Sequence, residues 1–346
     1  MHLMELPREV ILGENLKDKV SEVAKRLKLN ERALILYGKK TKKIAGNEVE
    51  KHLKEDFNVS ALTIKAPTMQ EVERVIRFIE DNSIGWIIGV GGGSIIDVAK
   101  LSSFKADIPF ISFPTTASHD GIASANASIK DLGAKTSIKA KPPIAVIVDV
   151  KVIKTAPYRF LAAGVGDMIS NLTAVKDWQL AHKLKGEYYS EYAASLSLMS
   201  AKMVIKNADV IRLGNEESVR KVVKGLISSS VAMSIAGSSR PASGAEHLFS
   251  HALDMLLEKP ALHGEQCGIG TIVMAYLHGL NWKKIRDTLK RVNAPTNAYE
   301  LGIEPEYIIE ALTIAHTIRP DRYTILGKEG LTKEAAEKAA KITGII

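Results

Sequence analysis

The 346-residue chain contains a single cysteine, Cys267. No intrachain disulfide is possible, which suits a reducing compartment, and the lone thiol reads as a small buried apolar side chain. No uninterrupted apolar run reaches membrane-spanning length, so no membrane insertion is expected. The first residues, Met1-His2-Leu3-Met4-Glu5-Leu6-Pro7, lack a basic stretch followed by an apolar one. No signal peptide is therefore expected, and the expected location is cytoplasmic. Aromatic residues are only 5% of the chain, and its lysines are spread over many helix faces rather than interleaved with stacking rings. Nucleic acid is thus not the expected partner, despite a net charge of +8. A small anionic substrate suits that charge as well. Glutamine occurs three times (Gln70, Gln179, Gln266) among abundant Lys, Arg and Glu, a usage that points toward a thermophile.

Glycine, in contrast, is concentrated at one place. Gly89-Val90-Gly91-Gly92-Gly93-Ser94-Ile95-Ile96-Asp97 follows an apolar stretch, 84–88, that reads as a buried strand. It leads into 95–104, which reads as a helix. Glycines between strand and helix let backbone N–H groups approach an anion, and the helix N-terminus adds positive partial charge. The spacing matches neither G-x-G-x-x-G nor the P-loop pattern. Close helix–strand packing explains some of these glycines, but four in five positions point to a pyrophosphate cradle.

The first 150 residues alternate short apolar runs (33–37, 59–64, 85–90, 109–113, 145–148) with amphipathic stretches (15–27, 68–79, 95–104). Thr68 with Glu71 predicts a capping box. Such alternation predicts an α/β fold, with a parallel sheet and helices on both faces. After Asp149 the strand-like runs vanish, and helical periodicities cover 159–180, 188–208, 216–235, 245–257 and 269–280. The expected organisation is an N-terminal parallel-sheet NAD(P)-binding domain, 1–150, and an all-α metal- and substrate-binding domain, 151–346. Residues 124–137 predict a short hairpin that turns at Asp131-Leu132-Gly133.

Three segments of the helical half carry metal-ligand chemistry: Gly164-Val165-Gly166-Asp167, then Gly244-Ala245-Glu246-His247 with His251, then Leu262-His263-Gly264-Glu265-Gln266. His247 and His251 lie four apart, on one face of a helix. Asp, His and His suit a catalytic Zn²⁺ that keeps a position open for substrate. Spacing alone leaves core or surface histidines as an equal reading. Phe113-Pro114-Thr115-Thr116-Ala117-Ser118-His119-Asp120-Gly121-Ile122-Ala123-Ser124 follows an expected strand, at the end where α/β sheets bind ligands. Its hydroxyls suit a nicotinamide and ribose, and Asp120 suits a substrate hydroxyl. A polar loop that satisfies its own backbone is the competing reading.

Taken in order, Gly91-Gly92-Gly93-Ser94 with Asp97 and Lys100, Pro114-Thr115-Thr116, and the Asp-His-His trio resemble the metal-dependent polyol dehydrogenase superfamily. That superfamily also contains iron-type alcohol dehydrogenases and dehydroquinate synthase. The run 115–124, with Gly164–Asp167 and Gly244–His247, resembles its archaeal sn-glycerol-1-phosphate dehydrogenase branch. The resemblance implies a dehydroquinate synthase-like fold, a Zn²⁺ ion, NAD(H) and NADP(H). It also implies reduction of dihydroxyacetone phosphate to sn-glycerol 1-phosphate for archaeal phospholipid synthesis, and a homo-oligomer is expected. By resemblance, Asp167, His247 and His263 are the metal ligands, and Asp120 and His251 are catalytic. Asp120, Asp167 and His251 also meet the substrate. Gly91, Gly92, Gly93, Ser94, Ile95, Ile96, Asp97, Thr115, Thr116, Ala117, Ser118 and Ser124 line the cofactor. Iron-type relatives place a histidine where this chain has Asn171, and dehydroquinate synthase places a glutamate at Asp167. Glycerol dehydrogenase and a synthase-type lyase are the alternatives. Lys135 and Arg240 are candidates for a substrate phosphate. Lys39 and Lys40, at the end of the first expected strand, suit a 2′-phosphate where NAD-specific sites place an acid.

Overall fold

Strands covered by helices on both faces read as near-continuous apolar runs. Arg32–Tyr37, Trp86–Gly91 and Ala145–Asp149 are of this kind, buried along almost their whole length. The computed structural model describes residues 4–130, 137–258 and 261–346. In it six strands form one sheet: β1 Glu9–Gly13, β2 Arg32–Tyr37, β3 Asn58–Thr63, β4 Trp86–Gly91, β5 Phe110–Pro114 and β8 Ala145–Asp149. Their order is β1-β8-β5-β4-β2-β3, and every pairing is parallel. A second sheet pairs β6 Asn126–Ser128 with β7 Ser137–Lys139 antiparallel. The expected hairpin turn at 131–133 lies outside the described residues.

The chain separates into two compact units. One comprises Glu5–Ala117 and Gly121–Pro157 and contains both sheets; the other comprises Tyr158–Ile346 with Met4 and Ser118–Asp120. In the sheet unit, β3 lies on one side of β2 and β4 on the other, so the strand order reverses at β2/β4. The carboxyl ends of such a pair open a crevice for ligands. The glycine loop after β4 and Gly38-Lys39-Lys40 after β2 stand there.

Three local features differ from the sequence reading. β1 is an additional edge strand; Glu9-Val10-Ile11-Leu12 pairs only with the distant β8, a contact that local pattern does not report. The helix expected over 15–27 starts at Val20 instead. Asn15 takes a positive φ, and the Leu16 N–H donates to Asp149 Oδ2 at 2.8 Å, which delays helix entry. Of the capping box only half forms. Thr68 Oγ1 accepts from Glu71 N, while the Glu71 carboxylate pairs with Arg74.

The second unit is helical. The helix Tyr158–Ile169 packs closely on His263–Leu277, which begins six residues before its expected start at 269. Backbone contact explains the early start. A Cβ on Gly166 would lie 2.1 Å from Gly264 O, and one on Gly264 would lie 1.9 Å from Ala163 O. Only glycine permits this crossing, and it sets Asp167 beside His263. No helix among the described residues is long and apolar enough to cross a membrane.

Candidate active site

Asp167 ends one helix of the close crossing, and His263 begins the other. The third contributor, Ala245–Leu256, presents His247 and, one turn on, His251. Asp167 Oδ1 lies 3.6 Å from His247 Nε2 and 3.7 Å from His263 Nε2. Cys267, one turn after His263, brings its Sγ to 3.5 Å from His263 Nε2. One donor atom from each of these four residues falls within a sphere of mutual distances under 4.8 Å. Cys267 is fully buried, yet it faces this cluster rather than filling apolar core alone. The sequence signal for it is the i, i+4 spacing His263-x-x-x-Cys267.

Hydrogen bonds fix both imidazoles. The His247 Nδ1 faces Glu246 Oε1 at 3.0 Å, an acceptor only. Nδ1 therefore carries the proton, and Nε2 offers its lone pair. Ser250 donates its one hydroxyl proton to Gln266 Oε1 at 2.6 Å. Towards His263 Nδ1, 3.1 Å away, Ser250 can then only accept, so His263 also presents a bare Nε2. Glu246, Ser250 and Gln266 were not assigned roles from sequence; each was visible beside a ligand, but its orientation was not. Two lone pairs and a carboxylate converging on one point fit a metal ion.

Burial opposes charge throughout the cluster. Asp167 still lies below the usual carboxylate range, because His247 and His263 face it. Against its burial, His247 is raised by Cys267, Asp167 and Glu246, so in the metal-free protein a metal at its Nε2 must displace a proton. His263 is pushed down to about 3 by burial and by His247. Burial also lifts the Cys267 thiol to about 11. His251 stacks on His263 with ring centroids 5.8 Å apart, and burial, His247 and Arg319 keep it neutral.

Asp120 opens a 3-10 turn beside the donors. Its N–H donates to Asp167 Oδ2 at 2.8 Å, and its Oδ2 accepts from Ser229 Oγ at 3.2 Å. Asn171 spends its amide on Ser197 O and Ser229 Oγ.

In the sheet unit, Gly92 caps the helix Gly93–Lys105 without a side chain. Ile95 and Ile96 donate their N–H groups to Gly92 O, and those of Gly93 and Ser94 are left for an anion's oxygens. A Cβ on Gly91 would lie 2.5 Å from Ile95 Cβ, and one on Gly92 3.2 Å from Thr116 Oγ1. These glycines have negative φ, so close approach, not left-handed backbone, demands them. Such a cradle fits a pyrophosphate. Ser94 is exposed on its rim, and the Thr115 N–H donates to Gly91 O at 2.9 Å. Ile95 and Ile96 are core residues, and Ala117 and Ser124 are buried. The Asp97 carboxylate accepts from Ser128 N and meets Lys100, so it faces inward. Ser118 groups with the helical unit.

Arg240 is buried; its Nε and Nη2 pair with the two carboxylate oxygens of Glu187, and its Nη1 donates to Tyr323 O at 2.8 Å. Lys135 lies outside the described residues.

A family profile described as iron-containing alcohol dehydrogenase matches residues 11–157. Glycerol-1-phosphate dehydrogenase, NAD(P)+, from Thermococcus sibiricus is 80% identical over 346 residues, 100% of this chain and 99% of that one. The enzyme of the same name from Thermococcus kodakarensis is 78% identical, covering 100% of this chain and 99% of that one. Among solved structures, glycerol dehydrogenase from Schizosaccharomyces pombe superposes with a TM-score of 0.80 at 21% identity, over 99% of this chain and 90% of that one, which establishes a shared fold.

Proposed function

The chain belongs to the glycerol-1-phosphate dehydrogenase family of NAD(P)-linked oxidoreductases, and on that footing we propose that it reduces dihydroxyacetone phosphate to sn-glycerol 1-phosphate with a zinc ion. The product would serve archaeal phospholipid synthesis in the cytoplasm, made by a homo-oligomer. The observation that carries the reading is the convergence of Asp167 Oδ1, His247 Nε2 and His263 Nε2.

In this reading residues 1–150 bind NAD(H) or NADP(H) and residues 151–346 bind metal and substrate. Asp167, His247 and His263 hold the zinc. Bound there, zinc supplies Lewis acidity to the substrate carbonyl, and the nicotinamide supplies the hydride. Cys267 stands by as a fourth donor, leaving the three-ligand set open to substrate. Gly91, Gly92, Gly93 and Ser94 receive the pyrophosphate, and Thr115, Thr116, Ala117, Ser118 and Ser124 line the nicotinamide half. Lys39 and Lys40, both exposed beyond β2, admit a 2′-phosphate, so that NADPH serves as well as NADH. Asp120 orients a substrate hydroxyl, held by Ser229 and by its own N–H on Asp167. His251, kept neutral by burial, donates a hydrogen bond to substrate oxygen and passes on a proton.

Activity on dihydroxyacetone phosphate, dihydroxyacetone and glycerol, measured with and without chelator alongside metal analysis, tests the proposal. We expect a strong preference for the phosphorylated ketone, abolished by chelation and restored by zinc. Equal kcat/KM for the phosphorylated and unphosphorylated ketones would instead make it a glycerol dehydrogenase. Full activity in protein stripped of metal would remove the metal from the mechanism.

A further inference from the structure

Cys267 lies one helical turn after His263 and is fully buried. A thiol in such a place can serve as core filler, so its direction decides what it does. Its Sγ is 3.5 Å from His263 Nε2 and 3.9 Å from Nδ1 of the same ring. It thus stands on the side of the nitrogen that the ring presents to the cluster. Two further helices bring Asp167 and His247 to the same point, and one donor atom from each of the four residues lies within 4.8 Å of the other three.

The spacing says what fits between these atoms. A direct N–H···O hydrogen bond closes to about 2.9 Å. Asp167 Oδ1 stands 3.6 Å from His247 Nε2 and 3.7 Å from His263 Nε2, wider than such a bond. A tetrahedral zinc site has bonds of about 2.1 Å to nitrogen and oxygen and about 2.3 Å to sulfur, which gives N···O edges of about 3.4 Å and N···S edges of about 3.6 Å. The measured separations of 3.6, 3.7 and 3.5 Å lie close to those edges, and the 3.5 Å edge is the one that ends on sulfur. The chemistry agrees with the geometry. A carboxylate and two imidazoles accept many divalent ions, and adding a soft thiolate favours zinc or cadmium over manganese or magnesium.

We propose that, while substrate is absent, the Cys267 thiolate is the fourth ligand of the zinc ion, and that substrate oxygen then takes its place. This rests on the metal reading above and adds a ligand that the Asp-His-His motif lacks. The thiol gives its proton to solvent as the Zn–S bond forms, and the sulfur takes one back when substrate displaces it. Sulfur in that position keeps water from it between turnovers.

Cobalt(II), a spectroscopic stand-in for zinc, tests the proposal without turnover. It is loaded into full-length wild type, Cys267→Ser and Cys267→Val in buffer free of added thiol. Wild type is expected to show a sulfur-to-cobalt charge-transfer band in the near ultraviolet, beside the visible d–d bands of a four-coordinate ion. Cys267 is the only thiol in the chain, so the wild-type band has one source and decides even where a variant fails to fold. Both variants are expected to keep d–d bands and lose the sulfur band. Cadmium affinity in Cys267→Val, read by chelator competition, is expected to fall about a hundredfold, the upper end of what loss of an outer-shell partner costs, with manganese affinity little changed. Dihydroxyacetone phosphate, added without cofactor, is expected to remove the wild-type sulfur band. Cobalt bound by wild type with d–d bands and no sulfur band overturns Cys267 as a ligand and leaves the three-residue set standing. Undiminished cadmium affinity in Cys267→Val overturns it too. A wild type that binds neither cobalt nor zinc overturns the metal reading itself. A sulfur band untouched by dihydroxyacetone phosphate, in protein whose zinc form reduces that compound, overturns the exchange.

Discussion

At the residue scale, the candidate metal centre depends on which nitrogen each imidazole exposes. Glu246 is fully buried and also accepts from Gly244 N at 2.6 Å and Thr173 Oγ1 at 2.7 Å. It is thereby held rigidly behind His247 Nδ1. Removing its charge weakens the ligand without moving it, because glutamine keeps the shape and an acceptor oxygen. We expect Glu246→Gln to lose about 10–100-fold in metal affinity, read by chelator competition, with the thermal midpoint of the metal-free protein little changed. Unchanged affinity would mean that Glu246 only packs. Sequence placed Glu246 next to a ligand, but a neighbour in sequence usually points elsewhere on a helix. Its side chain turns back to His247 because Gly244 N and Thr173 fix the carboxylate.

At the scale of elements, the helix Gly93–Lys105 joins the glycine loop to the segment that follows β5. Lys100 makes the join. It is fully buried, and its Nζ donates to Gly121 O and Asn126 O, both at 2.7 Å, with Asp97 Oδ1 at 3.4 Å. Asp97 completes the tie by accepting from Ser128 N at 3.1 Å. Lys100→Met would leave two carbonyls and a carboxylate buried without their cation. We expect a loss of about 3 kcal/mol in unfolding free energy by chemical denaturation. A loss below about 1 kcal/mol would mean that water replaces the ammonium at little cost. The same helix shows what a local pattern leaves open. The resemblance gives Asp97 to the cofactor, and the fold engages its carboxylate from within, on Ser128 N and Lys100. Lys39–Leu53 is a comparable case. Its Lys-Lys-Thr-Lys-Lys start hides a helical stretch whose buried residues are Ala45, Gly46, Val49 and Leu53.

For the whole molecule, the metal donors come from three helices, Tyr158–Ile169, Ala245–Leu256 and His263–Leu277. An ion held by all three is bound only by folded chain, so its binding free energy adds to stability. At a metal concentration about a hundredfold above Kd the gain is about 2.7 kcal/mol. The thermal midpoint is expected to rise with the logarithm of free zinc and to fall on chelation. A midpoint indifferent to zinc would show that the donors do not act as one set.

The sequence by itself determined the two kinds of architecture. Apolar runs with glycine after them made the parallel sheet and the tight turn into Gly93–Lys105 readable, since strand burial and helix amphipathicity are local patterns. The donor types Asp167, His247 and His263 were readable as well, through their motifs. Only the tertiary structure decided which groups converge. The glycine-to-backbone crossing of Gly166 and Gly264 brings Asp167 to His263, and that crossing turns Cys267 toward the donors. Pairing decided the arginines likewise. Arg240, which sequence offered to a phosphate, is spent on Glu187, while Arg322 is left with uncharged partners. Residues distant in the chain meet through packing and pairing, and no local periodicity records which partner a side chain will find.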